Sequence, residues 1–177
     1  MSQTRMIHEL FTWLRTQPFA LDTRCDHVTE NRQSLALYLG PRVPRIGRSL
    51  RIAEADILVC DTERNTVTLI IEVDPVNAPK KICGSVLPVL LADNYTPSGK
   101  GHNHAFKIRD TVVLYVTCVR EKKGSQKRQQ ISALQKAIQD KLNLGVGGVR
   151  AVELCCGKDE CDAISKCKEM VKKYFPG

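Results

Sequence analysis

The sequence predicts an α/β domain whose mixed sheet is laid down in the order helix, three-stranded meander, helix, strand, helix, strand, helix. Three observations predict it. Residues 53–60 and 66–73 are runs rich in Val, Ile, Leu and Thr on either side of a polar segment, 61–65, with turn chemistry, which together make a β-hairpin. Residues 111–120, TVVLYVTCVR, are apolar on both faces, as a central strand covered on two sides must be. A helical segment lies between them, so the second hairpin strand and the 111–120 strand are expected to run parallel through a right-handed crossover. With 177 residues and 42% hydrophobic content, the chain fits a single domain over 1–177 that buries roughly 70% of its unfolded surface.

Taken in order, Ile7, Leu10, Phe11 and Leu14 fall on one face of a helix over 4–16 that Thr4 can cap and Pro18 ends. Residues 19–33 are polar, lack strong periodicity and read as a loop or an irregular turn of helix. SLALYL, 34–39, is a short strand closed by Gly40 and Pro41, the first of the meander. The segment GPRVPRIGRSLR then sets Arg42, Arg45, Arg48 and Arg51 at every third position with no acid among them. Its prolines and glycines rule out a helix through most of it, so the arginines project from an extended or turning segment, either as planar forks that suit phosphate oxygens and guanine edges or as a solvated surface loop.

After the hairpin, Pro79 opens a helix carrying Ile82, Val86, Leu87, Leu90 and Leu91 that ends near Asp93, with Pro88 expected to bend it. Residues 94–104 read as a mobile loop in which Lys100, His102 and His104 are placed to meet a ligand. No third or fourth metal ligand stands close by in sequence, so these histidines are read as loop residues. A helix over 125–142 with Ile131, Leu134, Ile138 and Leu142 inward, a strand over 149–155 and a helix over 159–175 capped by Asp159 complete the chain.

A net charge of +8 favours an anionic partner, nucleic acid above all. The sequence has neither an eighteen-residue apolar stretch nor a signal-like start, which predicts a soluble, cytoplasmic protein with no membrane partner. The eight cysteines make no paired CxxC knuckle, so neither zinc nor a disulfide framework is expected. Cys60, Cys83 and Cys118 read as small buried hydrophobes, and Cys161 and Cys167 join Ile164, Val171 and Tyr174 in a core-facing stripe.

Chemistry concentrates on the hairpin. Its strands carry Glu54 and Asp56 on the first and Glu72 and Asp74 on the second. With the turn centred on Arg64, Asp56 faces Glu72 and Glu54 faces Asp74, and side-chain alternation gathers all four on one sheet face. Opposed Cβ atoms lie about 5 Å apart, where two like charges repel by a few kcal/mol at an effective dielectric of about 20. A divalent cation, Mg2+ first, would relieve that repulsion and keep positions open for phosphate and water; the alternative is that the acids sit at solvent-exposed strand ends, where they need no partner.

This order of elements, with an Asp on the second meander strand and an acid on the third, resembles the PD-(D/E)xK nuclease superfamily over residues 4–120. The resemblance implies a restriction endonuclease-like fold, with the last helix, strand and helix as additions. Asp56, in the pair Ala55-Asp56, matches the superfamily aspartate and Glu72 the third-strand acid, so the implied metal ligands are Asp56, Glu72 and the backbone carbonyl of Val73. The departure is Asp74, which stands where the superfamily has its lysine. Lys80 and Lys81, at the start of the next helix, are placed to supply it, and Glu9 matches an acid that some relatives set near the metal.

The implied activity is Mg2+-dependent hydrolysis of DNA by a metal-activated water, of restriction or repair type, with Mn2+ as a substitute. Arg42, Arg45, Arg48, Arg51 and Lys100 would then hold DNA, and a restriction-type enzyme would act as a homodimer. The missing strand lysine favours an alternative, a nuclease-fold protein that binds nucleic acid or a protein partner without cutting. A third reading is a small α/β domain whose basic surface binds an acidic protein.

Overall fold

A computed structural model describes residues 2–27, 34–40, 51–75, 79–97, 105–119, 126–142 and 148–176. Among them the elements run α1 (Gln3–Leu14), β1 (Asp22–Cys25), β2 (Ala36–Tyr38), β3 (Arg51–Glu54), β4 (Ile57–Asp61), β5 (Thr66–Asp74), α2 (Pro79–Leu91), β6 (Asn94–Tyr95), β7 (Phe106–Cys118), α3 (Lys127–Leu142), β8 (Val149–Gly157) and α4 (Glu160–Tyr174). They make an α/β fold around one mixed, open sheet of eight strands.

The hairpin forms as its sequence dictates. β4 and β5 pair antiparallel, with Ile57 opposite Ile71 and Val59 opposite Leu69. Asp61 Oδ1 accepts the N–H groups of Glu63 and Arg64, and Asn65 takes a positive φ of 52° to close the turn. A bulge between Val59 and Cys60 shifts the pairing next to the turn and leaves the outer half in the expected register. β5 and β7 run parallel with α2 as the crossover, as predicted, and β8 lies parallel to β7 on its other edge.

Both faces of the sheet are covered, which is why β7 is apolar throughout its second half. α2 and α3 bury Ile82, Val86, Val89, Ile131 and Leu142 against Leu58, Ile70, Val113 and Val152. On the opposite face α1 and α4 bury Met6, Ile7, Leu10, Leu14, Ile164, Cys167 and Val171 against Ile57, Leu69, Ile71 and Leu114. Asp159 caps α4, accepting the N–H of Asp162, while Ser2 rather than Thr4 caps α1.

Several expectations are corrected. The first meander strand is β1, inside the segment read as a loop, because β1 rather than the 34–39 strand pairs with β4. β2 instead joins β3 and β6 at the far edge of the sheet. Asn94 and Tyr95, placed in a loop by the sequence, form the short buried strand β6. Glu54 therefore lies in β3, paired across to Ala36, and does not face Asp74.

Cys83 and Cys161 are exposed, as are Leu87 and Leu91, because the buried stripe of α2 runs through Ile82, Val86 and Val89. Cys60, Cys83, Cys155, Cys156, Cys161 and Cys167 are not in disulfides. Among the described residues no helix is long and apolar enough to cross a membrane.

Candidate functional site

Three adjacent strands each bring one carboxylate to the same row of the sheet. Cys25 pairs with Ile57, and Ile57 with Ile71. One step outward, Asp26 therefore meets Asp56, which meets Glu72. The Asp26 N–H donates to the Asp56 carbonyl at 3.4 Å, and in the parallel register Glu72 is level with Tyr115 of β7. Period-two alternation turns this row toward the side covered by α2 and α3, since Leu58 and Ile70 pack there. Asp74, two residues beyond Glu72, faces the same way.

The row is anchored at specific atoms. The Val73 N–H donates to Asp56 Oδ2 at 2.7 Å, a buried bond that fixes the carboxylate beside Glu72. Asp56 Oδ1 lies 3.4 Å from His27 Nε2, which is also 3.3 Å from Asp26 Oδ1. At the other end, Lys81 of α2 reaches Asp74 Oδ2 at 2.7 Å, and the Tyr115 hydroxyl donates to the same oxygen at 3.2 Å. Glu72 has no such anchor: its Oε1 is buried and without a hydrogen-bond partner among the described residues, as is Asp26 Oδ1.

The electrostatics follow from burial and crowding. Burial first, then the nearby Asp56 and Asp26, drive the Glu72 carboxyl well above the usual carboxylate range. Burial pushes Asp26 up to about 6, against the opposing pull of His27. Asp56 is also raised by burial, with the Val73 N–H and His27 opposing. Such a site favours whatever brings positive charge to it.

Of the residues singled out by sequence, Asp56, Glu72 and Asp74 are brought to one face. Lys81 joins them through its ion pair with Asp74, although both Lys80 and Lys81 are exposed. Val73 contributes its N–H to Asp56. Glu9 does not join: it lies on α1, against the opposite face, and pairs with Lys168 of α4 at 3.0 Å. Arg51 pairs with Glu54, whose other oxygen accepts from Ser34. Arg42, Arg45, Arg48, Lys100, His102 and His104 lie outside the described residues.

Sequence reading missed Asp26 and His27. The signal available was the alternation of Asp22, Arg24 and Asp26 with Thr23 and Cys25, a polar edge-strand pattern. No family model, curated protein or solved structure matches the chain.

Proposed function

We propose that the protein is a divalent-metal-dependent DNA endonuclease of the PD-(D/E)xK type, with β1, β4 and β5 as the superfamily meander. The observation that carries the reading is the Asp56–Glu72 pair on adjacent strands, with Lys81 held two residues further on by Asp74. The orphaned buried Glu72 oxygen and the oxygen-rich donor set suit a hard cation such as Mg2+. Asp56, Glu72 and the Val73 carbonyl would hold it, and when bound it supplies the positive charge that a phosphodiester and its attacking water need.

The chain's own residues do the rest. The Val73 N–H keeps Asp56 aimed at the row. Asp74 and Tyr115 fix the end of β5 so that the Lys81 ammonium stands beside the acids, in the role the superfamily gives to its strand lysine. There it orients the attacking water and offsets charge gathering on the phosphate. Asp74 is thereby a positioning residue, and Lys81, rather than Lys80, is the functional lysine.

The deciding experiment is cleavage of plasmid DNA in Mg2+ and in Mn2+ by wild type and by Asp56→Ala/Glu72→Ala. Cutting by wild type that vanishes in the double variant is expected, with Lys81→Ala slowed by roughly 10²-fold or more and Lys80→Ala near wild type. DNA that is bound but uncut in both metals would overturn the reading in favour of a non-cleaving nuclease-fold binder, the outcome that replacement of the strand lysine by Asp74 would then explain.

A further inference from the structure

We propose that Asp26, His27 and Asp56, with Glu72 buried beside them, form a mixed nitrogen–oxygen metal centre that selects a divalent transition ion, Mn2+ over Mg2+. The inference rests on the metal-binding half of the preceding reading and not on DNA cleavage.

Asp26, His27 and Asp56 each offer a ligand atom, and these atoms all lie within 4.8 Å of one another. The His27 Nε2 distances, 3.3 Å to Asp26 Oδ1 and 3.4 Å to Asp56 Oδ1, decide the geometry. Ligands that each sit about 2.1 Å from a shared ion are separated by about 3.0–3.4 Å, depending on coordination number. Both His27 separations fall in that range, the Asp26 and Asp56 oxygens lie within 4.8 Å of each other, and the separation from Asp26 lacks hydrogen-bond geometry, since Asp26 Oδ1 has no hydrogen-bond partner among the described residues.

Glu72 supplies a second and independent observation. It is not one of these three residues, yet its Oε1 is sealed from solvent, unpartnered, and next in the row after Asp56. A protonated His27 would bring one positive charge to three carboxylates and leave that oxygen orphaned. A divalent ion held by Asp26, His27 and Asp56 doubles that charge beside the buried Glu72 carboxyl.

The identity of the ion follows from the donors. Mg2+ takes oxygen and keeps its waters, whereas an imidazole nitrogen favours first-row transition ions; Mn2+ shares the carboxylate preference of Mg2+ and so is the transition ion that fits two carboxylates with one imidazole. His27 sits at the exposed rim of the row, beside buried Asp56, so an ion can enter without opening the core.

The test is equilibrium binding of Mn2+ and of Mg2+, each alone and without DNA, to the full chain by calorimetry. Free and bound Mn2+ are also counted by electron paramagnetic resonance. Wild type is expected to bind Mn2+ at least tenfold more tightly than Mg2+. His27→Ala and His27→Gln should each weaken Mn2+ tenfold or more while moving Mg2+ less than twofold, and Asp56→Asn should weaken both.

Equal affinity for the two ions in wild type, or a preference that survives both His27 substitutions, overturns the proposal. Because His27 is exposed, unchanged melting of its variants in metal-free buffer is expected and guards against misfolding. Selective Mn2+ binding with no DNA cleavage would sink the nuclease and leave the centre standing. A Mg2+-preferring protein that cuts DNA would do the reverse.

Discussion

In metal-free buffer the Glu72 carboxyl is buried beside Asp56 and Asp26, with one oxygen that nothing satisfies. Its raised pKa, like that of Asp26 at about 6, means that the folded state holds these protons more tightly than the unfolded chain. The unfolded chain binds fewer protons at intermediate pH, so stability falls as pH rises. The contribution is complete below the ordinary carboxylate value of about 4 and is lost as pH climbs through the folded-state values. Glu72→Gln should therefore stabilise the metal-free protein at neutral pH, on the order of 1–3 kcal/mol, and flatten the decline between about pH 5 and pH 7. Urea unfolding with a chelator at both pH values checks this. A glutamine variant less stable than wild type at neutral pH would show that Glu72 is satisfied by the protein itself. The same substitution should abolish stabilisation by added metal, so one residue trades apo stability for binding.

At the scale of elements, two glycines separate close packing from open helix surface. Gly157 ends β8 where α4 begins, and a Cβ there would lie 2.1 Å from the Ala163 nitrogen and 2.5 Å from the Asp159 oxygen. Both are backbone atoms, and the Gly157 carbonyl accepts the Val119 N–H at 2.7 Å, so neither segment can yield cheaply. Gly157→Ala should cost at least about 2 kcal/mol. Gly84, inside α2, has nothing within 4 Å of its notional Cβ, and Gly84→Ala should add about 0.5–1 kcal/mol. Denaturant midpoints for the pair test both signs; a harmless Gly157→Ala would mean that β8 and α4 do not meet this closely. These packed elements also show what the sequence could reveal. The Asp56–Glu72 pairing was legible because hairpin register follows from turn position, and the parallel β5–β7 pairing because α2 leaves few other routes. β1 was not legible: an edge strand has one neighbour, so Asp22 and Arg24 stay polar, and the segment carries no apolar run. Asp26 and His27 were lost with it. The choice of Lys81 over Lys80 needed the helix phase, which Ile82, Val86 and Val89 set by packing on the sheet.

Across the whole molecule, a chain of net charge +8 carries a row of carboxylates at the very place where a phosphate is expected to dock. On the proposed reading the long-range field would draw DNA in, while the metal-free row would repel the phosphate that must approach most closely. Neutralising that row should therefore strengthen DNA binding even as it destroys cleavage. Even at the dielectric of bulk water a phosphate about 4 Å from one carboxylate is opposed by about 1 kcal/mol, so Asp56→Asn/Glu72→Gln should tighten metal-free duplex binding roughly fivefold or more. The slope of affinity against salt should barely change, because the cations that release counterions are untouched. Fluorescence anisotropy of a labelled duplex across a salt series, in chelator, separates the two quantities. Tighter binding at constant slope puts a phosphate on the Asp56–Glu72 row. Unchanged affinity would mean that DNA docks elsewhere on the basic surface and that the acids serve another substrate.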